Sequence, residues 1–485
     1  MPATPDIKQL VRSASIIVFS TAVSRLFAQS PPISPDGPWH SSDERQIITD
    51  ARRLHPPAFR SESDRIFSLA ELIDLAEARN PETRVAWENA RAQAAVLGIA
   101  RSELYPTLAA VALSAVNREE IPFGSQFYRQ TVPAFEMTLD FNYMIFDFGA
   151  RRGRIDAARA QLLAANFAFN DVHRRIIFQV QQAYYRLLNA AGQEAAARAS
   201  LANAQAVQQA AEERLQNGLA TLPDVLEARS ATAETQYELQ SILGAEEIAH
   251  GDLATALGAP ASTMIRVQPL NELSTPDSLD DTVERAINRA FGQRPELQAD
   301  VAEIRSAEAR RKEAHAAFFP KLSVQATPSG RSVYLLQQTL PWGHRADLNG
   351  GLSLSLNWTV FDGGARRSRL EQAEADIRGA DAQASATRDH IENEVWTAYS
   401  NLNTAFRQRE AATALLNAAG QSYAAALESY NFGVRSLLDV TAAQRVLAQA
   451  RSSDVLARTQ VLAALADLAF RTGDSILANP RKSRP

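Results

Sequence analysis

"GGLSLSLNWTVFDGGARRSR", residues 350–369, changes its periodicity halfway along. Leu352, Leu354, Leu356, Trp358 and Val360 alternate with Ser353, Ser355, Asn357 and Thr359. Such a period-2 pattern is a strand with one apolar and one polar face. After Phe361-Asp362-Gly363-Gly364 the sequence turns Ala-, Arg- and Glu-rich with helical spacing. The apolar face needs an apolar neighbour, yet the chain runs straight into a helix without supplying a second sheet.

The stretch is written twice. "FEMTLDFNYMIFDFGARRGR", residues 135–154, alternates in the same way, with Met137, Leu139, Phe141 and Tyr143 against Glu136, Thr138, Asp140 and Asn142. Phe361-Asp362 lies 215 positions after Phe146-Asp147, and the same spacing relates Gly433 to Gly218 and Asp439-Val440 to Asp224-Val225. "NPET" at 80–83 is echoed by "RPEL" at 294–297, and "LYPTL" by "FFPKL". A steady offset over a span this long means two copies of one structural unit.

Each copy reads as an amphipathic helix (about 68–104 and 281–318), then a strand, a polar loop and a second strand. The strands fall at 106–116 with 135–146, and at 320–328 with 351–361. A very long helical run follows (149–216 and 364–431), then a Gly-containing break and a further helix to about 257 and 472. In the long run Ile155, Ala158, Leu162, Ala165, Phe169, Val172 and Ile176 recur at three and four, the seam of a coiled coil. Such a helix spans ~100 Å, well beyond a globular core.

Composition narrows the class. The 485 residues carry a net charge of −5, so no basic nucleic-acid footprint is present. Seven histidines and no cysteine rule out disulfides, thiolate zinc sites and an acylated N-terminal cysteine. No apolar run of about 18 residues reads as a membrane helix. Lys8 and Arg12 precede a short apolar stretch, so residues 1–28 read as a signal peptide. Residues 29–65, rich in Pro, Ser and charge, read as a disordered or extended linker. The two copies then cover 66–258 and 281–473, joined by 259–280 and followed by a tail at 474–485.

A lipid bilayer resolves the uncovered strands, with hydrocarbon against the Leu and Trp face and water against the Ser and Asn face. Four strands cannot close a barrel, so several chains must share one. The fold class is therefore mainly α with a β-barrel part.

With its duplicated helix–strand–strand–long helix–helix order, the chain resembles the TolC-type outer-membrane efflux channels over about residues 66–473. The motifs carrying the resemblance are "NPE"/"RPE", "FDFGARR"/"FDGGARR" and the breaks "NGLATLPDVLEAR"/"FGVRSLLDVTAAQ". It implies a homotrimer whose chains give four strands each to a 12-stranded barrel, above a periplasmic tunnel that meets an adaptor and an inner-membrane pump. It also implies that Tyr430 and Arg435 hold a closed tip, that Arg435 engages Asp224, and that Asp439 lines the constriction. A second constricting acid one turn later is absent, since Ala442 stands there.

Plainer roles compete at these positions. Arg435 and Asp439 could form an ordinary exposed i,i+4 pair worth ~0.3–0.5 kcal/mol, in the less favourable basic-first order. Asp224 could be a first-turn acid favoured by the helix dipole. If Asp439 does form a ring of three, it favours cations, and crowding raises and couples the carboxyl titrations.

No nucleophile, acid–base or metal constellation is present. His390 and Glu392 lack a helical partner histidine, and neither Gly-rich break has phosphate-loop spacing. No cofactor is expected, and an enzyme is disfavoured. The remaining rival to a passive outer-membrane conduit is a soluble coiled-coil scaffold.

Overall fold

The computed structural model describes residues 44–53, 65–123, 125–273, 281–337 and 343–474. The chain divides into two units, Met1–Arg60 and Ser61–Pro485. The expected signal peptide lies outside the described residues. In the first unit the expected linker is helical over α1 (Glu44–Arg53), where Asp50 and Arg53 pair at i,i+3.

In the second unit each copy opens with two helices where the sequence reading expects one. These are α2 (Leu69–Arg79) and α3 (Pro81–Ser102) in the first copy, and α6 (Val283–Gln293) and α7 (Pro295–Ala316) in the second. The "NPE" and "RPE" motifs are the breaks. A residue before proline is pushed out of the helical region, and Asn80 and Arg294 both have extended ψ values, 127° and 120°. Proline then opens the next helix, where its missing N–H costs nothing. Asn80 caps α3 through Glu82 N at 2.8 Å. Ser68 and Glu71 close a capping box at the start of α2.

The long helices are α4 (Ala150–Gln216) and α8 (Ala365–Asn431), 67 residues each. Each folds back into a shorter partner, α5 (Leu222–Ala256) or α9 (Leu437–Thr472). Small residues on α4 permit the close approach of α7 and α9 from the second copy. A Cβ on Gly153 would lie 2.9 Å from the Ala309 carbonyl oxygen, and one on Gly192 2.6 Å from Val455 Cγ1. The seam residues Ile155, Ala158 and Ile176 are buried. A two-strand parallel link, β1 (Ile66–Phe67) with β4 (Arg266–Val267), ties the start of the first copy to the inter-copy segment.

The sheet is more extended than the sequence pattern implies. Strands β2 (Thr107–Phe123) and β3 (Gln126–Phe146) form one long hairpin, paired from Thr107↔Asn142 to Phe123↔Gln126. Residues 117–134, read as a polar loop, therefore continue the ladder, and Glu120 pairs with Arg129 across it at 3.2 Å. Likewise the described part of 329–350 is mostly strand rather than loop. It holds β6 (Ser329–Gln337) and β7 (Gly343–Asn349), which extend β5 (Lys321–Ala326) and β8 (Leu352–Asn357) past interruptions at Thr327-Pro328 and Gly350-Gly351. The long β3 pairs β5 with one half and β6 with the other. Strand β8 stops at Asn357 rather than 361 because its partner begins at Lys321, after Pro320, which has no N–H to offer.

Candidate functional site

Cross-strand partners in an antiparallel ladder put their side chains on the same face. Rows can therefore be followed across β2–β3–β5–β8. One row runs Leu108, Phe141, Ala326, Leu352, and the next joins Tyr143, Val324 and Leu354. Beyond a bulge in β3, Phe146, Leu322 and Leu356 form a third. Of the alternate rows, Asn142, Gln325 and Ser353 form a polar one, and the next sets Met144 beside Ser323 and Ser355. Met137 and Leu139 pair with Ala112 and Ala110 on the apolar face. All nine residues expected to face lipid lie on or beside this surface. Phe141 and Tyr143 are half-buried and the other seven exposed, Leu352 at 79%. Among the described residues, β2 and β8 each pair with one strand only, so both edges of the sheet are open.

Where strand becomes helix, aromatic rings gather. Phe146 packs edge-on to Phe148, and Phe148 stacks on Phe319 at 4.9 Å. Trp358 lies just past β8 and donates from Nε1 to the Phe318 carbonyl at 3.1 Å. An amphipathic ring with an apolar body and a satisfied N–H suits a membrane–water boundary. The repeated "FDxGARR" motif builds the turn itself. Asp147 and Asp362 each accept from the backbone and Nε of the arginine four residues on, Arg151 and Arg366. Gly149 and Gly364, at φ +93° and +91°, sit in the left-handed region as helix N-caps.

At the far end of the helices the two hairpins turn, at 217–221 and 432–436. A buried cluster joins the copies there: Val207, Ala211, Val225 and Ala228 from the first, with Ala426, Tyr430, Leu437 and Val440 from the second. Asp224 and Asp439 occupy equivalent places and perform equivalent local tasks. Asp224 accepts from Thr221 N and Oγ1 at 2.9 and 2.7 Å, and Asp439 from Ser436 N and Oγ at 3.1 and 2.9 Å. Both are the acidic members of capping boxes. These hydrogen bonds hold both carboxyls below their ordinary value, led by the Thr221 backbone for Asp224 and the Ser436 hydroxyl for Asp439. Within one chain the direction is thus downward, opposite to the rise expected from a crowded ring.

The expected link between Arg435 and Asp224 is not formed in the single chain. Arg435 is exposed, without an ion pair among the described residues, although its charge reaches Asp439. The cation that does reach across is Arg214, which the sequence reading missed. Its Nη1 donates to the carbonyls of Tyr430 and Asn431 at 3.0 and 3.1 Å. Its guanidinium lies 4.7 Å from the Tyr430 ring centroid. Tyr430 is buried and its hydroxyl has no hydrogen-bond partner among the described residues, so within the chain the ring is held by packing and cation–π contact. Arginines in last turns are common helix-end residues, which left Arg214 no distinguishing signal in the sequence.

A second charged assembly lies mid-way along the helices. Arg174, fully buried, pairs with Asp171 at 2.7 Å and Glu296 at 2.9 Å, and stacks on Phe470. Arg294 joins Glu296 to Glu394, and Arg471 also pairs with Glu394. Burial alone would raise the Asp171 and Glu394 carboxyls. The surrounding arginines outweigh it and hold both below the ordinary range. No group of side chains suited to a metal ion occurs among the described residues.

A sheet with one apolar face and two open edges, continuous with ~100 Å helical hairpins, defines a channel-forming protein of the outer-membrane type. The family model for outer membrane efflux proteins matches residues 72–259 and again 286–474. The chain belongs to the outer membrane efflux protein family, whose members are outer-membrane channels with a periplasmic helical part. Among curated relatives it is 29% identical over 415 residues to Protein CyaE of Bordetella pertussis, covering 85% of each chain. It is 27% identical over 387 residues to outer membrane protein OprJ of Pseudomonas aeruginosa, covering 78% of each. Among solved structures, a Pseudomonas aeruginosa membrane protein matches with a TM-score of 0.74 at 24% identity, covering 86% of this chain and 99% of that one. The Vibrio cholerae outer membrane protein VceC matches at 0.70 and 19%, covering 90% and 99%.

Proposed function

We propose that three copies of this chain close one membrane barrel and one helical tunnel. The resulting duct carries solutes passively from the periplasm, or from an inner-membrane pump, to the outside. The observation that carries this reading is the apolar face running in register across four strand paths whose outer edges are unpaired. Exposed edges and a broad apolar face are liabilities in water, and lipid plus neighbouring copies remove both. The hairpin turns at 217–221 and 432–436 form the periplasmic end, where an adaptor protein of the pump assembly docks. Asp439 repeats around the three-fold axis as a single carboxylate ring, with Ala442 leaving no second ring. Tyr430, Arg435 and Asp224 restrain that end in the resting state, Arg435 acting toward a neighbouring chain. Membrane fractionation tests the reading: the protein should enter the outer-membrane fraction as a heat-sensitive oligomer. Solubility without detergent as a monomer would replace the conduit with the scaffold.

A further inference from the structure

Helix α8 ends without a cation of its own, since no basic residue occupies its last turn. Its last carbonyls stand at the negative end of a 67-residue helix; those of Ser429 and Tyr430 accept from Val434 N and Gly433 N at 2.9 Å each. Arg214 of the other copy supplies what α8 lacks, donating to the carbonyls of Tyr430 and Asn431 and lying against the Tyr430 ring. The arrangement runs one way. The position equivalent to Arg214 in the second copy is Ser429, which cannot reach back. Helix α4 instead has Asn217 donating to its own Glu213 carbonyl at 2.9 Å. Arg214 also lies close enough to bear on Asp224, which caps the next helix of its own hairpin. One guanidinium thus touches the end of α8 and acts on the start of α5, the two elements that must separate if the hairpins splay.

We propose that Arg214 is the positioning residue that clamps the two hairpins together at the tip, and that opening requires its release from the α8 carbonyls. The clamp rests on the gated-conduit reading above, but assigns the restraint within each chain to Arg214 rather than to Arg435.

The test is single-channel conductance of the full-length oligomer in planar bilayers, comparing wild type with R214A, R214K and R435A. Arg214→Ala should raise open probability roughly tenfold, equivalent to about 1.4 kcal/mol. Arg214→Lys should recover part of the closed state, since an ammonium can still donate to the carbonyls but cannot stack as a plane. Wild-type conductance in R214A with a raised value in R435A would overturn the clamp while leaving the gated conduit standing. Wild-type conductance in every variant would overturn both. Should R214A fail to assemble, R214K decides alone: partial opening supports the clamp, and unchanged gating refutes it. A wild-type oligomer with no conducting path would remove the conduit reading and the clamp with it.

Discussion

The Asp439 carboxylate accepts two hydrogen bonds from Ser436 and, in an oligomer about one axis, recurs once per chain. These two roles can be separated by substitution. Asparagine keeps an acceptor for the Ser436 N–H but loses the charge, whereas alanine loses both. We therefore expect Asp439→Asn to weaken cation selectivity while melting close to wild type. Asp439→Ala should in addition lower the melting temperature, because the Ser436 N–H and hydroxyl lose their acceptor. Selectivity unchanged in Asp439→Asn would place the constriction elsewhere. The pH dependence reports on crowding. Capping depresses the folded carboxyl, so its stabilisation is complete above the ordinary carboxylate value and is lost as pH falls through the depressed one. Three crowded carboxylates shift the titration the other way. Loss of selectivity already above the ordinary carboxylate range would show that the ring dominates; persistence below it would show that the cap does.

At the scale of the element, Leu356 and Ser355 are neighbours on β8 that point to opposite faces, in rows with Leu322 and Ser323. An arginine on a lipid-facing site near the bilayer midplane costs ~2–4 kcal/mol, and one on the water-facing side much less. Leu356→Arg should therefore reduce the yield of folded oligomer in vesicles, with Ser355→Arg near wild type; equal tolerance of the two would remove the lipid assignment. This alternation was legible in the sequence because period 2 is strict in both copies, and the first long helix was legible because apolar residues recur at three and four from Ile155 to Ile176. The hairpin extensions were not. Residues 117–134 contain Asn, Arg, Glu, Pro and Gly, which read as loop, yet cross-strand pairing such as Glu120–Arg129 extends the ladder. The break before Pro81 and Pro295 was concealed by apolar spacing that continues through it. Of the tip residues, Asp224 and Asp439 are repeat-equivalent positions whose place at the tip the family resemblance implied, whereas the reach of Arg214 across to Tyr430 depends on helix packing that no local pattern encodes.

Across the whole molecule, two features place the copies relative to each other and to the membrane. The buried Arg174 assembly joins α4 of the first copy to α7 and α9 of the second. Breaking a fully buried ion pair costs about 3–5 kcal/mol. Here Glu296 keeps Arg294 and Asp171 keeps Arg175 when Arg174 is lost, so Arg174→Met should fall at or below about 3 kcal/mol. It should show as a lowered dissociation temperature of the oligomer, and a change as small as that of an exposed pair would deny the assembly its structural role. The direction of the chain through the membrane is the remaining matter. The β2–β3 turn and the helical turns lie at opposite ends of the chain path, because β3 runs from that turn into α4 and α4 runs on to Asn217. If the helices stand in the periplasm, the β2–β3 turn must open to the outside. The protein has no cysteine, so a single introduced thiol reports one position without background. Ser125→Cys, in the exposed β2–β3 turn, should react with a membrane-impermeant maleimide on intact cells. Ala220→Cys, in the first helical turn, should react only after the outer membrane is permeabilised. Both thiols should label fully in detergent, which controls for local burial. Labelling of Ala220→Cys but not Ser125→Cys on intact cells would invert the topology, and the tip would then lie where no periplasmic adaptor could reach it.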